Sequence, residues 1–448
     1  MATKTAVDFI PAKFPEAITS DLSKYKVITP TPPTKPQDRT SNDFLSQFKD
    51  INEDRNDHGT REPHRIHKSW PENASSLSGL ENQGVTCYQN AALQSILHQP
   101  AVGVYLQEVL ENKHPQINKK SVTYELANLF QKMTSKKSSV FPAKMIRRLD
   151  DINPMLSEWQ QEDSHEYFMS LISRLQEDSV PKGQKLRSSI IHDIFGGSVE
   201  QKVKCLRCQA VSTTSQDFYD LPVYFSKSEE TSEYTLEQSV KDFFQPEKIE
   251  LESGKGKRTQ GYECEKCQKA TNAIKSIAID EAPEHLTVHI KRFKMEGTAK
   301  KVKDLINYPT ILDLTNYKSS QKDENLIYKL SAVVLHEGRT VSSGHYVAYA
   351  RDVNNKWLLY DDDLKDTADE KDVENNASAY ILIYSRLSKK EKPHAKQTNT
   401  QEENSLSKTR GSKKSKADHS KKRKSESQKD KKKRAKAVED IDEIFKRK

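Results

Sequence analysis

Residues 79–90, GLENQGVTCYQN, place a cysteine directly after a Gly/Thr turn and directly before a run of good helix formers. That run, residues 91–97 (AALQSIL), has apolar residues at helical spacing, and Pro100 ends the predicted helix. Cys87 is therefore expected at or near a helix N-terminus, where unpaired backbone N–H groups and the helix dipole favour an anion. Such a position stabilises a thiolate and makes Cys87 a candidate nucleophile; the alternative is a small buried hydrophobic residue.

Two stretches far downstream offer the base and the orienting acid that a cysteine nucleophile needs. Residues 343–349 (SGHYVAY) and residues 356–363 (KWLLYDDD) are rich in aromatic and β-branched residues and are predicted to be strands of one hairpin. A hairpin of this kind can place His345 beside Asp361, with the adjacent Asp362 as a second choice. The order Cys, His, Asp matches the arrangement of papain-like thiol proteases.

Further motifs extend this pattern over most of the chain. After the cysteine stretch come QEDSHEYF, two CxxC pairs, HIKRF, SGHYVAYAR and WLLYDDD, in that order. The series resembles the ubiquitin-specific proteases over residues 77–386, and the QED spelling, with Glu162 where many members have Gln, resembles a nucleolar branch of the family. The resemblance implies an α+β, papain-like fold with a helical thumb, a β-sheet palm and zinc-bearing β fingers. It also implies hydrolysis of the (iso)peptide bond after the C-terminal glycine of ubiquitin, with ubiquitin and ubiquitinated proteins as partners.

The resemblance also implies a role for each residue at the catalytic centre. Cys87 attacks the carbonyl of the terminal glycine, and His345 moves the proton from the thiol to the leaving amine. Asp361 orients His345, and Asp362 is held in reserve for the same task. Asn82 and the backbone N–H of Cys87 stabilise the oxyanion. No metal takes part in the predicted chemistry.

The substrate tail is expected to bind next to this centre. Residues 159–172 are predicted to form one amphipathic helix, and Asp163 and Glu166 share a face of it. The resemblance assigns these two acids to the arginines of ubiquitin's C-terminal tail, whereas a solvated charged face is the alternative. Tyr346, beside the catalytic histidine, is also assigned to the tail, and Gly344 suits a channel that selects the Gly-Gly end.

The four remaining cysteines form two pairs, Cys205 with Cys208 and Cys264 with Cys267. Two CxxC pairs in a reducing compartment indicate a closed, structural four-cysteine zinc site, and disulfides are the alternative. The spacing between the pairs predicts that they lie on neighbouring hairpins. One zinc ion is the only cofactor expected.

Composition divides the chain into three parts. Residues 1–75 are predicted to be a disordered leader, residues 76–386 the catalytic domain, and residues 387–448 a disordered basic tail. The N-terminus has no apolar segment of the secretory kind, and no run reaches the length of a membrane span, so an intracellular protein without membrane contact is expected. No heptad pattern suggests assembly, and a monomer is predicted.

The tail differs in charge from everything before it. Residues 387–448 hold 22 Lys/Arg and 10 Asp/Glu, a net charge of +12 that leaves −4 for residues 1–386 from the chain total of +8. The clusters KKRK (421–424) and KKKR (431–434) are typical of nuclear or nucleolar targeting and of non-specific RNA or DNA binding. Contacts with nucleolar proteins are a further possibility for this segment, and a merely solubilising tail is the alternative.

Three functions fit the sequence. The first is an active deubiquitinase of nuclear or nucleolar ubiquitinated proteins. The second is a catalytically silent ubiquitin-binding scaffold tethered to RNA or chromatin, against which the complete set Cys87, His345, Asp361 and Asn82 argues. The third is a protease for another ubiquitin-like modifier. Neither the substrate protein nor the preferred chain linkage follows from the sequence.

Overall fold

The structure is a computed structural model that describes residues 39–59, 66–228, 230–251, 261–296, 298–320, 325–340, 343–374 and 376–390. All of them belong to the compact unit Met1–Glu391, and the second unit, Lys392–Lys448, lies outside the described residues. The predicted disorder of residues 1–38 and of the tail from residue 391 onward therefore stays a prediction. The described unit combines helices and sheets, which confirms the predicted α+β fold class.

The helices of the described residues lie mainly in the first half of the domain. Helix α2 carries the cysteine of the GLENQGVTCYQN stretch at its first position and is buried along its whole length. The helices are α1 (Asn42–Leu45), α2 (Cys87–Leu97), α3 (Pro100–Leu110), α4 (Val122–Ser135), α5 (Ala143–Ile146), α6 (Leu149–Ile152), α7 (Ser164–Ser179), α8 (Ile190–Phe195), α9 (Leu236–Phe244) and α10 (Glu370–Glu374).

Sixteen strands are described, and most of them lie in two sheets. They are β1 (Gly197–Cys205), β2 (Val211–Phe218), β3 (Leu221–Val223), β4 (Glu247–Ile249), β5 (Tyr262–Cys264), β6 (Lys269–Thr271), β7 (Ala273–Glu281), β8 (His285–Ile290), β9 (Phe293–Glu296), β10 (Thr298–Lys301), β11 (Ile311–Asp313), β12 (Ile327–Thr340), β13 (Ser343–Arg351), β14 (Trp357–Asp361), β15 (Leu364–Thr367) and β16 (Ala379–Arg386).

The large sheet has the order β15-β14-β13-β12-β16-β8-β3, with β11 also paired to β12. Only the short β3–β8 pair is parallel, and every other pair in this sheet is antiparallel. A smaller antiparallel sheet has the order β2-β1-β7-β4, and β5-β6 and β9-β10 are separate hairpins. We call the large sheet the palm, helices α2–α8 the thumb, and the small sheet with the β5-β6 hairpin the fingers.

Both faces of the palm are covered, so its central strands are buried on both sides. Ala332 and Val334 of β12 face the thumb, whereas Val333 and Leu335 face a second apolar cluster that includes α9. All eight residues of β16 are buried. Full burial of a central strand explains its near-continuous apolar sequence.

The described part of the predicted leader is folded, and the prediction of disorder is corrected there. Phe48 is buried against Ile327 of the palm and Leu387 at the end of the domain. Trp70 belongs to the thumb core. Lys68 is buried with Glu284, and its Nζ lies 2.7 Å from a Glu284 carboxylate oxygen. The physical reason is tertiary, because the partners of Phe48 and Lys68 lie more than 200 positions away in the chain and Trp70 stacks on Phe130, 60 positions away.

Helix α7 begins later than predicted. Residues 159–163 precede it, and Asp163 is its N-cap, where the carboxylate accepts a hydrogen bond from the backbone N–H of His165 at 2.7 Å. The Glu162 carboxylate accepts a hydrogen bond from the backbone N–H of Ser157 at 3.0 Å and so closes the preceding loop on itself. Asp163 thus satisfies a backbone donor in the first turn of the helix, and Glu162 satisfies one in the loop before it.

Candidate active site

Cys87 is the first residue of α2, in agreement with the sequence prediction, and its side chain is buried. The turn before it is tied together at Asn82, whose Oδ1 accepts hydrogen bonds from the backbone N–H and the hydroxyl of Thr86 at 3.0 and 3.1 Å. Gly84 adopts a φ of +96°, a conformation that favours glycine. Among the described residues, the side chain of the N-cap residue Thr86 makes no capping hydrogen bond, which leaves the N–H groups of the first turn available to an anion beside Cys87.

His345 and Asp361 come from neighbouring antiparallel strands, β13 and β14. The Nε2 of His345 lies 2.6 Å from Oδ1 of Asp361, and both side chains are partly exposed. A hydrogen bond with Cys87 is the main cause that raises the pKa of His345 to about 9, burial opposes it, and Asp361 adds to the rise. The structure thus brings the predicted nucleophile, base and acid into one contact series. Because Asp361 occupies Nε2, the ring nitrogen left for the thiol is Nδ1.

Replacing Asp361 by Asn is expected to lower kcat/KM for a ubiquitin–fluorophore substrate by roughly 10²–10⁴-fold. The raised pKa of His345 keeps the imidazolium charged up to about pH 9, so activity should fall as the pH rises through that value. Asn removes the negative charge that supports the imidazolium, and the alkaline limb should therefore move to lower pH. The measurement is the pH profile of kcat/KM.

The matched control for that experiment is Asp362→Asn, the same chemical change one residue later. This variant is expected to lower kcat and to move the alkaline limb less than Asp361→Asn does, because the Asp362 carboxylate lies near the imidazole but gives its hydrogen bonds to two amides. An unchanged alkaline limb in Asp361→Asn would contradict the orienting role of Asp361.

Asp362 has a different task from the one predicted. Its two carboxylate oxygens accept hydrogen bonds from the amide nitrogens of Asn82 and Asn90, each at 2.8 Å. Its backbone has a φ of +52°, and its carbonyl accepts the N–H of Leu80 at 2.8 Å. Burial raises the pKa of this carboxyl, and the two asparagine amides oppose that rise. The prediction that Asp362 is a reserve partner of His345 is therefore corrected. The turn after β14 directs the Asp362 carboxylate toward the loop before Cys87.

Asn82 lies where the sequence predicts, in the turn before the nucleophile, but its amide is already engaged. The amide nitrogen donates to Asp362, and the amide oxygen is used within the turn by Thr86. An amide nitrogen carries two N–H groups, so one remains for a developing oxyanion. Asp362 therefore determines which way the Asn82 amide points.

The two acids assigned to the substrate tail lie at the start of α7. Asp163 accepts a hydrogen bond from the hydroxyl of Tyr380 at 2.7 Å in addition to its N-cap bond. Glu166 is exposed and lies one turn into the helix, within 3.4 Å of the Asn153 amide nitrogen. The structure thus places one fixed carboxylate and one exposed carboxylate side by side at a helix N-terminus.

Tyr346 does not lie on the surface, and its assignment to the substrate tail is corrected. Its side chain is 1% exposed and packs against the rings of His336 and Tyr380. Burial raises its pKa well above the usual range. The side-chain alternation of β13 is the reason, because Tyr346 faces the thumb core together with Ala348 and Ala350.

The four remaining cysteines meet at the tip of the fingers. Sγ of Cys205 lies 3.9 Å from that of Cys267, and Sγ of Cys208 lies 3.6 Å from that of Cys264. Tetrahedral Zn–S bonds of about 2.3 Å require sulfur–sulfur separations of about 3.8 Å, so the four thiols fit a zinc ion. None of the cysteines is in a disulfide.

The two cysteine turns are built alike, which strengthens the case for a metal. In each turn the residue after the second cysteine is a glutamine, Gln209 or Gln268, with φ of 60° and 54° respectively. Its backbone N–H donates to the carbonyl of the first cysteine, at 3.0 Å for Gln209 and 2.8 Å for Gln268. The predicted placement of the pairs on neighbouring hairpins agrees with this geometry, as Cys205 ends β1 and Cys264 ends β5.

Sequence reasoning missed two residues at the centre. Asn90 binds Asp362 from the second turn of α2, and Gln161 contacts both Cys87 and the backbone of Gly344. Both stand inside the quoted motifs, Asn90 as the last residue of GLENQGVTCYQN and Gln161 as the first of QEDSHEYF. Their position in those motifs was the available signal, but their partners depend on the tertiary fold.

Comparison with known proteins identifies the family. The model of the ubiquitin carboxyl-terminal hydrolase family matches residues 78–384, and the chain belongs to that family. It is 42% identical to ubiquitin carboxyl-terminal hydrolase 10 of Saccharomyces cerevisiae over 78% of this chain and 52% of the relative. It is 30% identical to probable ubiquitin carboxyl-terminal hydrolase 16 of Schizosaccharomyces pombe over 79% of this chain and 75% of the relative. The chain thus spans about half the length of the first of these relatives.

The fold has solved counterparts. The SAGA deubiquitinating module Ubp8/Sgf11/Sus1/Sgf73 bound to monoubiquitin aligns with a TM-score of 0.58 and 25% identity over 70% of each chain. The same module bound to ubiquitin aldehyde aligns with a TM-score of 0.59 and 24% identity. These likenesses confirm the fold expected from the resemblance to ubiquitin-specific proteases.

The described residues hold no helix that is both long and apolar enough to cross a membrane.

Proposed function

We propose that this protein is a thiol deubiquitinase that hydrolyses the (iso)peptide bond after the C-terminal glycine of ubiquitin. One observation carries the proposal, namely the contact series from Cys87 at a helix start through His345 to Asp361. Family membership supports the reaction class, and a structural relative described as bound to monoubiquitin supports ubiquitin as the partner.

Catalysis begins with an ion pair of the Cys87 thiolate and the His345 imidazolium. The sulfur attacks the carbonyl carbon of the terminal glycine and forms the C–S bond of a tetrahedral intermediate. His345 then donates its proton to the leaving lysine nitrogen as the C–N bond breaks, which leaves a thioester on Cys87. Water, deprotonated by His345, attacks the thioester, and free ubiquitin and the thiol are regenerated.

The oxyanion of both tetrahedral intermediates is stabilised beside the start of α2. The donors are the backbone N–H of Cys87 and the second N–H of the Asn82 amide. Asp362 is the positioning residue for that amide, because it fixes the other N–H at 2.8 Å. Asn90, which bonds the other oxygen of Asp362, keeps the carboxylate itself in place.

The substrate tail is recognised by charge at the start of α7. Asp163 is held by its N-cap bond and by Tyr380, and Glu166 is free to meet solvent, so the pair forms an acidic surface that fits tail arginines. The backbone of Gly344 lies next to His345, where a main chain without side chains can approach closely. These features favour ubiquitin over modifiers whose tails lack the arginines.

Glu166→Lys is expected to raise KM for the ubiquitin–fluorophore substrate by roughly 10–100-fold, since a charge-assisted hydrogen bond contributes about 1.5–3 kcal/mol. The rate of chemistry should change little, because Glu166 does not touch the reacting atoms. The control is Glu177→Lys, the same charge change on an exposed residue near the other end of α7. A ubiquitin with Glu in place of a tail arginine should bind the Glu166→Lys variant better than natural ubiquitin does. If neither the rise in KM nor this recovery is seen, Glu166 does not bind the tail.

The four cysteines of the fingers would hold the zinc ion, which supplies a structural cross-link and no chemistry at the thiol. The ion would join the β1-β2 turn to the β5-β6 turn. The fingers would thereby keep one shape against the globular body of ubiquitin.

We further propose a nuclear, and within the nucleus a nucleolar, location for this protein, with a monomeric domain. The support is the pair of basic clusters in residues 421–424 and 431–434, which also suit non-specific binding of RNA or DNA or contact with nucleolar proteins. Residues 387–390 pack against the domain, which corrects the predicted start of the disordered tail, and both basic clusters lie outside the described residues. Imaging of a fluorescent fusion with and without residues 391–448 tests this proposal, and an unchanged distribution would show that this segment does not direct the protein to the nucleus.

The experiment that tests the main proposal is release of a fluorophore from ubiquitin's C-terminus by the purified wild-type chain. Steady turnover is the expected result. Tight ubiquitin binding without release would favour the silent scaffold instead. Faster release from the fluorophore conjugate of another ubiquitin-like modifier would favour a protease of that modifier.

A further inference from the structure

Gln161 connects three separate elements at the catalytic centre. Its amide nitrogen donates to the carbonyl of Gly344 at 2.7 Å, and its amide oxygen accepts the backbone N–H of Gly344 at 2.9 Å. The same nitrogen lies 3.7 Å from Sγ of Cys87, within hydrogen-bonding range for sulfur. One side chain thus joins the loop before α7, the strand that carries His345 and the helix that carries the nucleophile.

The chemistry of these contacts requires a carboxamide. The backbone of Gly344 presents one N–H donor and one carbonyl acceptor. Only an amide side chain can form a hydrogen bond with each of them through one planar group. Glutamate has the same shape but lacks the N–H donor, and leucine has neither group. Gly344 has no room for a side chain either, because a Cβ there would lie 2.5 Å from Nε2 of His336 and 2.7 Å from the carbonyl oxygen of Glu337.

The local fold around Gln161 does not depend on its side chain. The loop before it is closed by Glu162 onto Ser157, and helix α7 is capped by Asp163 onto His165. The backbone would therefore keep its path if the Gln161 amide were changed. What would be lost is the tie to Gly344 and the donor to the sulfur of Cys87.

We propose that Gln161 is a positioning residue that sets His345 in register with Cys87 through the Gly344 backbone and donates a hydrogen bond to the resting thiolate. Gly344 directly precedes His345, so fixing its peptide groups fixes the start of the strand that carries the base. A hydrogen bond to an ionised sulfur is charge-assisted and weakens when the thiol is protonated. This inference deepens the proposed thiol mechanism and rests on it for the role of Cys87.

The test is the pH dependence of Cys87 alkylation by iodoacetamide in the absence of any ubiquitin substrate, read by mass spectrometry of the Cys87 peptide. The variants are Gln161→Glu and Gln161→Leu, and the control is Gln160→Leu, the neighbouring glutamine, whose amide contacts Glu162 and not the centre. Peptide-resolved detection separates Cys87 from the four cysteines of the fingers. Thermal unfolding of each variant shows whether the fold is kept.

Both Gln161 variants are expected to shift the midpoint of the alkylation profile to higher pH, Glu more than Leu because it adds a negative charge beside the sulfur. They should also lower kcat for the ubiquitin–fluorophore substrate by roughly 100-fold, the effect of a small misalignment at a reacting centre. Gln160→Leu should match wild type in both readouts.

An unshifted alkylation profile in a folded Gln161→Leu variant would overturn the proposal, and so would a normal kcat. If Gln161→Glu fails to fold, Gln161→Leu, which adds no charge, still decides the question. A shifted profile in a protein that releases no fluorophore from ubiquitin would support the role of Gln161 while rejecting deubiquitination, so the two proposals can fail separately.

Discussion

Cys87→Ala is expected to abolish release of a fluorophore from ubiquitin's C-terminus, with a loss of at least about 10⁴-fold in kcat. The reason is that the thiolate forms the covalent bond of the reaction, and no other cysteine lies at this centre. The other four are gathered in the fingers, with sulfur–sulfur distances of 3.6 and 3.9 Å within the cluster. The measurement is the steady-state kinetics of wild type and Cys87→Ala, determined side by side.

The matched control is binding of intact ubiquitin to the same variant. Ala removes one atom from a buried site and leaves the acids of α7 and the fingers untouched, so ubiquitin affinity and thermal unfolding should stay close to those of wild type. A ubiquitin carrying a C-terminal electrophile should form a covalent adduct with wild type and none with the variant. Substantial turnover by Cys87→Ala would exclude the thiol mechanism.

Cys208→Ser is expected to remove bound zinc and to raise KM for the ubiquitin–fluorophore substrate by more than tenfold. The residue is only half-buried, so the change itself causes little loss of packing. Its thiolate is one of four ligands, and serine is a poor replacement because structural zinc prefers sulfur and nitrogen. Metal analysis should give one zinc per wild-type chain and none for the variant, and the fingers should lose protection from hydrogen exchange.

Two controls separate this effect from damage to the catalytic centre. Ser215→Ala changes an exposed residue of β2, in the small sheet of the fingers, and should leave the zinc content and KM unchanged. A short peptide that carries the ubiquitin tail and the fluorophore does not reach the fingers, so Cys208→Ser should hydrolyse it as wild type does. Full zinc content in the variant would mean that these cysteines do not form the metal site.

The centre also shows how two adjacent acids acquire different tasks. Asp361 ends β14 and meets His345 across the β13-β14 pair, whereas Asp362 lies in the following turn with a φ of +52°. The turn reverses the direction of the side chain and presents it to Asn82. The run of three aspartates in WLLYDDD offers no local signal for this division, because it depends on where the turn falls.

Much of the candidate site follows from the sequence because its signals are local. A cysteine between a Gly/Thr turn and a run of helix formers must lie near a helix start, since propensity and spacing act over a few residues. The paired cysteines predict a metal site for the same reason, because each CxxC turn holds two ligands by itself. The strands of the hairpin that carries His345 and Asp361 are likewise set by local alternation.

Other features were decided by the tertiary structure alone. Phe48, Lys68 and Trp70 are buried against other parts of the palm and thumb, although the sequence predicts their own segment to be a disordered leader. Tyr346 is buried because its strand presents that face to the thumb core, and Gln161 is functional because Gly344 lies opposite it across the fold. Sequence patterns describe neighbours along the chain, whereas these contacts join residues up to several hundred positions apart, and only packing brings them together.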